Sequence, residues 1–197
     1  MRKLCAVCGD KISFYGEVKL SSKISVCRNC ARRTMPFFDY DEKTIEDFKA
    51  NLKLCENGAI LFNAIFRQNN KIVSLCDGKI LFDPEHYLIC VCGKRGNIFN
   101  RKNLYNIYKL ADVDCYEPVS KLKQRLDGSS DFTDCLLISF REESGLPPIM
   151  FPSDIADTRE LIALFDEAFK TKNRDLMKVS SDIALTQPDK KYCSKVK

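Results

Sequence analysis

Two short cysteine pairs constrain the start of this chain more than any other feature. They are Cys5 and Cys8 in CAVC, and Cys27 and Cys30 in CRNC, giving the spacing C-x2-C-x18-C-x2-C. Each CxxC loop turns both sulfurs toward one point, so two loops supply four thiolates to one tetrahedral ion. Gly9 follows the first pair, where such a loop calls for a positive φ. The second pair leads into a short helical stretch, ARRT, ended by Pro36. Ile12–Tyr15 and Glu17–Leu20 flank Gly16 and read as a hairpin. A knuckle, a hairpin and a second knuckle at a helix start give a treble-clef or zinc-ribbon-like layout. All four ligand positions are filled by protein, so the expected site is closed and structural, with Zn²⁺ its expected ion and iron the alternative. So small a unit buries little core without metal. A dithiol redox pair would need a CxxC at the helix start of a βαβ unit, and none is visible. The start, MRKLCAVC, has no apolar segment of the secretory kind, which points to a reducing, cytoplasmic setting and disfavours disulfides.

The charge sits with the cysteines. The chain carries 32 Lys+Arg and 27 Asp+Glu, a net of +5. Within residues 1–40, Arg2, Lys3, Lys11, Lys19, Lys23, Arg28, Arg32 and Arg33 face only Asp10, Glu17 and Asp39, which accounts for all of the excess. A cation with four thiolates carries about −2, and nearby basic residues compensate it. The alternative is a phosphate-contacting face, with Arg28, Arg32 and Arg33 as nucleic-acid-binding candidates.

The remaining cysteines, Cys55, Cys76, Cys90, Cys92, Cys115, Cys135 and Cys193, form no further CxxC, and most lie in apolar runs as small buried hydrophobes. Cys90 and Cys92 share one face of a strand, where they could pinch a second metal with Cys76. Cys193 is the expected exposed thiol.

At 197 residues and 45% hydrophobic content, the chain accommodates one small module and one true domain. The expected organisation is α+β: a four-cysteine module over 1–38, a helical connector over 39–70, a β-rich domain with a capping helix over 71–171, and a polar, frayed tail over 172–197. No apolar run is long enough to span a membrane. Ile45, Phe48, Leu52 and Cys55 recur at helical spacing, with Asp41 or Thr44 as the N-cap and Asn57-Gly58 as a stop; a second short helix follows over 59–67. From Lys71 the period changes to short strands, KIVSLC, KILFD, HYLICVC, NIFN, NIYKL, DVDCYEPV and DCLLISF, then IMF. Asp77-Gly78, Asp83-Pro84, Gly93 to Gly96 and the Asp127-Gly128 turn separate them. This predicts an antiparallel sheet or a partly open barrel. An amphipathic helix boxed by Asp157 and Glu160, with Leu161, Leu164, Phe165, Ala168 and Phe169 on one face, closes it.

CAVCGDKI, the gap and CRNCARR resemble the N-terminal four-cysteine domain, of unknown function, of uncharacterised proteins from Gram-positive bacteria and their phages. In those proteins a helix and a β-rich domain follow. NIFNRKNLYNIYKLADVDCYEPV is similar to their later part, and strands closed by one amphipathic helix resemble a pleckstrin-homology-like fold. The resemblance implies that Cys5, Cys8, Cys27 and Cys30 are metal ligands. It implies no catalytic residue.

Catalytic motifs are missing from the sequence: no HExxH, P-loop or GxGxxG appears. The one histidine, His86, falls at a predicted strand start, where a hydrogen-bonded structural role is expected. Glu142-Glu143 and Asp112/Asp114 read as solvated loop charges. Phe37, Phe38 and Tyr40 read as core, or else as an exposed patch. The expectation is a non-enzymatic zinc-binding adaptor with a protein partner. The alternatives are a nucleic-acid binder and an enzyme with its site in the β-domain. Anionic lipid is a further candidate ligand, through Lys94 and Arg95 of the GKRG turn.

Overall fold

The computed structural model describes residues 3–186, apart from Phe14, Ser22, Phe37, Asp39, Gln68, 96–100 and 125–129. The expected NIFN strand, Phe37 and Cys193 lie outside the described residues. The described chain is α+β, with four helices and three antiparallel sheets.

The first sheet is a two-stranded hairpin, β1 (Glu17–Lys19) and β2 (Ser25–Cys27), with Val18 opposite Val26. This corrects the expected pairing about Gly16. The turn falls at residues 20–24, closed by Leu20 N–H to Ile24 O at 3.0 Å, and β2 hands Cys27 directly to α1 (Arg28–Ala31). The short helix therefore contains Cys30 and starts earlier than ARRT.

Thr44 caps α2 (Ile45–Leu61) with a full capping box to Asp47. The helix does not stop at Asn57-Gly58. It runs on to Leu61 and into a π-type turn over Phe62–Phe66, in which Arg67 N–H reaches Phe62 O at 3.0 Å. Gly58 has a packing role instead: a Cβ there would lie 1.7 Å from Tyr105 O, so only glycine lets α2 cross the strand beneath it.

That strand belongs to a four-stranded meander: β3 (Val73–Leu75), β4 (Ile80–Asp83), β5 (Leu88–Arg95) and β6 (Lys102–Lys109). β5 continues through Gly93, Lys94 and Arg95, where a turn was expected. The sheet is covered on both faces, which explains the unbroken apolar run Leu88-Ile89-Cys90-Val91. Ile89 and Val91 face the main core, while Leu88 and Cys90 pack with Phe66 and Ile107 under α2.

The third sheet is β7 (Val113–Gln124), β8 (Ser130–Phe140) and β9 (Ile149–Pro152). The β-rich part is thus two packed sheets, and α3 (Ile155–Thr171) follows them. Its N-cap is Asp154, whose Oδ1 accepts from Asp157 N–H at 2.8 Å, so Asp157 lies in the first turn and is not the cap. Leu161, Phe165 and Ala168 are buried on one face, as the spacing predicts, with Ile80, Phe82, Leu136 and Ile138 in the same core.

The expected frayed tail is instead a helix as far as the described residues extend: α4 (Arg174–Thr186). Met177 is fully buried in the main core. The Ser181 hydroxyl donates to His86 O at 2.8 Å, and Arg174 donates to Val113 O at 2.5 Å while lying 4.5 Å from the Phe169 ring centre. One anchoring methionine and two polar anchors do not make a sequence-visible apolar face.

Candidate metal centre

The first thiol pair sits on a turn and the second on a helix start. Cys5 N–H bonds to Asp10 O at 2.8 Å and Gly9 N–H to Cys5 O at 2.9 Å, with Gly9 at φ +76°, the conformation expected of it. Cys27 is the N-cap of α1, so Cys30 N–H points back at the Cys27 sulfur, at 3.4 Å. β1–β2 pairing and the Leu4–Lys11 bridge bring the two pairs together.

All four sulfurs lie within 4.8 Å of one another, the one such cluster among the described residues. Cys5 Sγ is 3.9 Å from Cys30 Sγ, and Cys8 Sγ is 3.8 Å from Cys27 Sγ. A tetrahedral ion with sulfur at about 2.3 Å has S···S edges of about 3.8 Å, so the donor set fits such an ion. Backbone amides already point at the sulfurs: Val7 and Cys27 N–H donate to Cys5 Sγ at 3.4 and 3.2 Å. They stabilise thiolate and orient it, the role of an outer shell around a metal. Burial opposes ionisation of Cys5, but the amides of Cys8, Cys27 and Val7 outweigh it and bring the thiol down to about 6. At Cys8 the Asp10 amide favours thiolate, yet desolvation and the neighbouring Cys5 sulfur push it up to about 11. Burial and the sulfurs of Cys27, Cys8 and Cys5 also push Cys30 up. An ionised Cys5 makes Cys8 and Cys30 hold their protons more tightly, and a cation at the centre of the four sulfurs removes that repulsion.

Around this centre Cys5, Leu20, Val26, Cys30, Phe38, Phe48 and Leu52 form one small core. Phe38 meets Tyr40 and Phe48 edge-on at 5.5 and 5.9 Å, which places Phe38 and Tyr40 in packing and not in an exposed patch. Of the basic candidates, Arg33 pairs with Glu56. Arg28 and Arg32 are exposed and form no ion pair among the described residues.

The centre is tied to the β-rich body. Arg95 donates to Ala31 O at 2.8 Å and Met35 O at 2.9 Å, and its guanidinium lies 5.6 Å from the Tyr40 ring centre. Met35 is fully buried in the body's core, and its N–H is held by Asn51 Oδ1 at 3.2 Å. Arg95 is therefore half-buried and engaged, unlike the lipid-facing side chain expected of it. Sequence reasoning missed it because only the docked structure shows which basic residue of GKR meets the Ala31 and Met35 carbonyls at the end of α1 and just beyond it.

Elsewhere, His86 Nδ1 lies 2.7 Å from Asp83 Oδ2, and the buried Asp83 carboxylate also accepts from Glu85 and His86 N–H, forming the tight turn into β5. Cys76 contacts Ser153 Oγ at 3.3 Å and joins the main core, away from the Cys90–Cys92 pair, so the three do not form a second metal site. No described helix is long and apolar enough to cross a membrane.

A family model described as a domain of unknown function (DUF4428) matches residues 3–51. The match spans both cysteine pairs, Arg28, Arg32 and Arg33, and α2 as far as Asn51. No curated protein and no solved structure matches the chain.

Proposed function

We propose that this chain is a non-enzymatic interaction protein, an adaptor in a reducing, cytoplasmic setting, whose four cysteines hold one structural Zn²⁺. Iron is the alternative ion for the same donor set. Cys27 at a helix start after a hairpin supports a treble-clef reading of the module. Four antiparallel strands, then three, then a covering helix support the pleckstrin-homology-like reading of the body.

One observation carries the protein-partner reading. Leu176, Val179 and Ile183, at helical spacing on α4, are each more than half exposed while the opposite face is docked through Met177. The test is capture with the zinc-loaded full chain, after nuclease treatment, beside a Val179→Asp/Ile183→Asp variant. The reading expects a protein bound in fixed stoichiometry by the wild type and lost from the variant. Equal retention by both, or none by either, contradicts it.

The second reading, binding of nucleic acid, rests on Arg28 and Arg32, which are exposed and form no ion pair among the described residues. It expects oligonucleotide binding that weakens steeply with salt and disappears in Arg28→Glu/Arg32→Glu. Compensation of the thiolate charge explains the same two residues without a nucleic acid. Binding of anionic lipid retains only Lys94 of its two candidates.

A further inference from the structure

Cys90 and Cys92 stand side by side on one face of β5, their sulfurs 3.8 Å apart. Their surroundings differ. Cys90 is fully buried. Cys92, opposite Tyr105 in the sheet register, forms part of the wall of a cavity of about 630 Å³. Phe62, stacked on Tyr105 at 3.9 Å, and Leu81 give the cavity apolar walls, and among the described residues Lys79 and Lys94 set two cations against the carboxylate of Asp77. The volume lies within the range of about 300–1,000 Å³ typical of small-molecule sites.

The Cys90 S–H is placed to donate to the Cys92 sulfur, which draws the Cys92 thiol below its ordinary value against the effect of burial, and Lys94 adds to the shift. The other buried thiols are engaged differently. Cys55 contacts Asn106 Oδ1 at 2.9 Å and is pushed up to about 12 by burial; Cys76 contacts Ser153. A thiolate with access to a ligand-sized space is what separates a reactive cysteine from an inert one.

We propose that Cys92 is a modification site that takes a small anionic disulfide, of the oxidised glutathione class, as a mixed disulfide housed in this cavity. The Cys92 thiolate attacks one sulfur of the disulfide. That S–S bond breaks, the Cys92–sulfur bond forms, and the released thiolate takes a proton from water. Cys90 assists by its hydrogen bond and does not resolve the adduct. Residues i and i+2 of a strand have Cα atoms about 6.7 Å apart, at the outer limit of disulfide geometry. The adduct therefore persists, beside Pro36 of the metal-binding module, which also lines the cavity.

The test incubates zinc-loaded full-length protein with oxidised glutathione and follows the products by intact mass and peptide mapping. One glutathionyl group should appear on Cys92, about tenfold faster than on the exposed Cys115, with metal content unchanged. Cys90→Ser should slow it several-fold, and Cys92→Ser, checked for an unchanged melting temperature, should abolish it. Earlier labelling of Cys115 or the metal-centre cysteines, accumulation of a Cys90–Cys92 disulfide, or labelling of Cys92 only in denaturant would each overturn the proposal. The wild-type peptide map decides this even if a variant fails to fold.

Discussion

Around the four clustered thiols, seven described residues share a buried core, and two of them are the cysteines Cys5 and Cys30. Between the two larger sheets and the C-terminal helices, twenty do, from Met35 to Met177. The β-rich body can hold itself together by burial, at about 25 cal/mol for each Å² of apolar surface removed from water. The N-terminal module has too little such surface, and its sulfurs repel one another's ionisation. On the proposed reading its order depends on an ion, while its position on the body rests on specific contacts, Arg95 chief among them. Metal chemistry and packing thus divide the chain, and they meet at Met35, which follows the second knuckle in sequence but is buried in the body's core.

Removing the metal should break this division most strongly. Structural zinc supplies about 10 kcal/mol or more of folding free energy to small modules. A chelator should therefore abolish hydrogen-exchange protection in β1, β2 and α1 while β5 and β6 keep theirs. Loss of protection in both regions together would show one cooperative unit instead. Gly58→Ala tests the body. The added Cβ would meet the backbone of β6, and a destabilisation of about 3 kcal/mol in chemical denaturation is expected, with metal content unchanged. Arg95→Ala tests the join. Loss of two charge-assisted hydrogen bonds and the Tyr40 contact should cost about 2–3 kcal/mol and raise exchange at Ala31–Met35 before it does so in β5. Arg33→Ala, which removes an exposed pair with Glu56, should change the midpoint by less than about 0.5 kcal/mol.

The pH dependence sharpens the comparison further. In metal-free protein at pH 7 the Cys5 thiol, at about 6, is ionised, while Cys8, at about 11, and Cys30 hold their protons. Zinc binding must expel those two protons at least. Affinity should then fall by at least about 100-fold for each pH unit lowered between pH 9 and 6, and more steeply below 6 as Cys5 also protonates. Without metal, the Cys5 contribution has the same sign. The Cys5 group, depressed from 9.0, contributes stability that is present above pH 9 and lost as the pH falls toward 6. Calorimetric titration in buffers of different ionisation enthalpy reads the protons directly.

What could be read from the sequence follows from the range of the interactions. The thiol cluster was legible because four ligands at fixed short spacings need only local loops. Thr44 as a cap and the Leu161–Phe165–Ala168 face were legible because capping and helical periodicity are local. Gly58 reads locally as a stop, and only its 1.7 Å conflict with Tyr105, far along the chain, shows it to be a crossing point. α4 is held by Met177, Ser181 and Arg174 reaching partners in the body, so its composition resembled a solvated tail. Arg95 looked like a surface cation for the same reason, because its acceptors are carbonyls some sixty residues earlier.

The most direct test of the central claim is the metal content of protein purified without added metal, measured for the wild type and for Cys27→Ser/Cys30→Ser. The account predicts one zinc per wild-type chain and none in the variant. Absence of metal from the wild type, or metal that survives the double substitution, would contradict it.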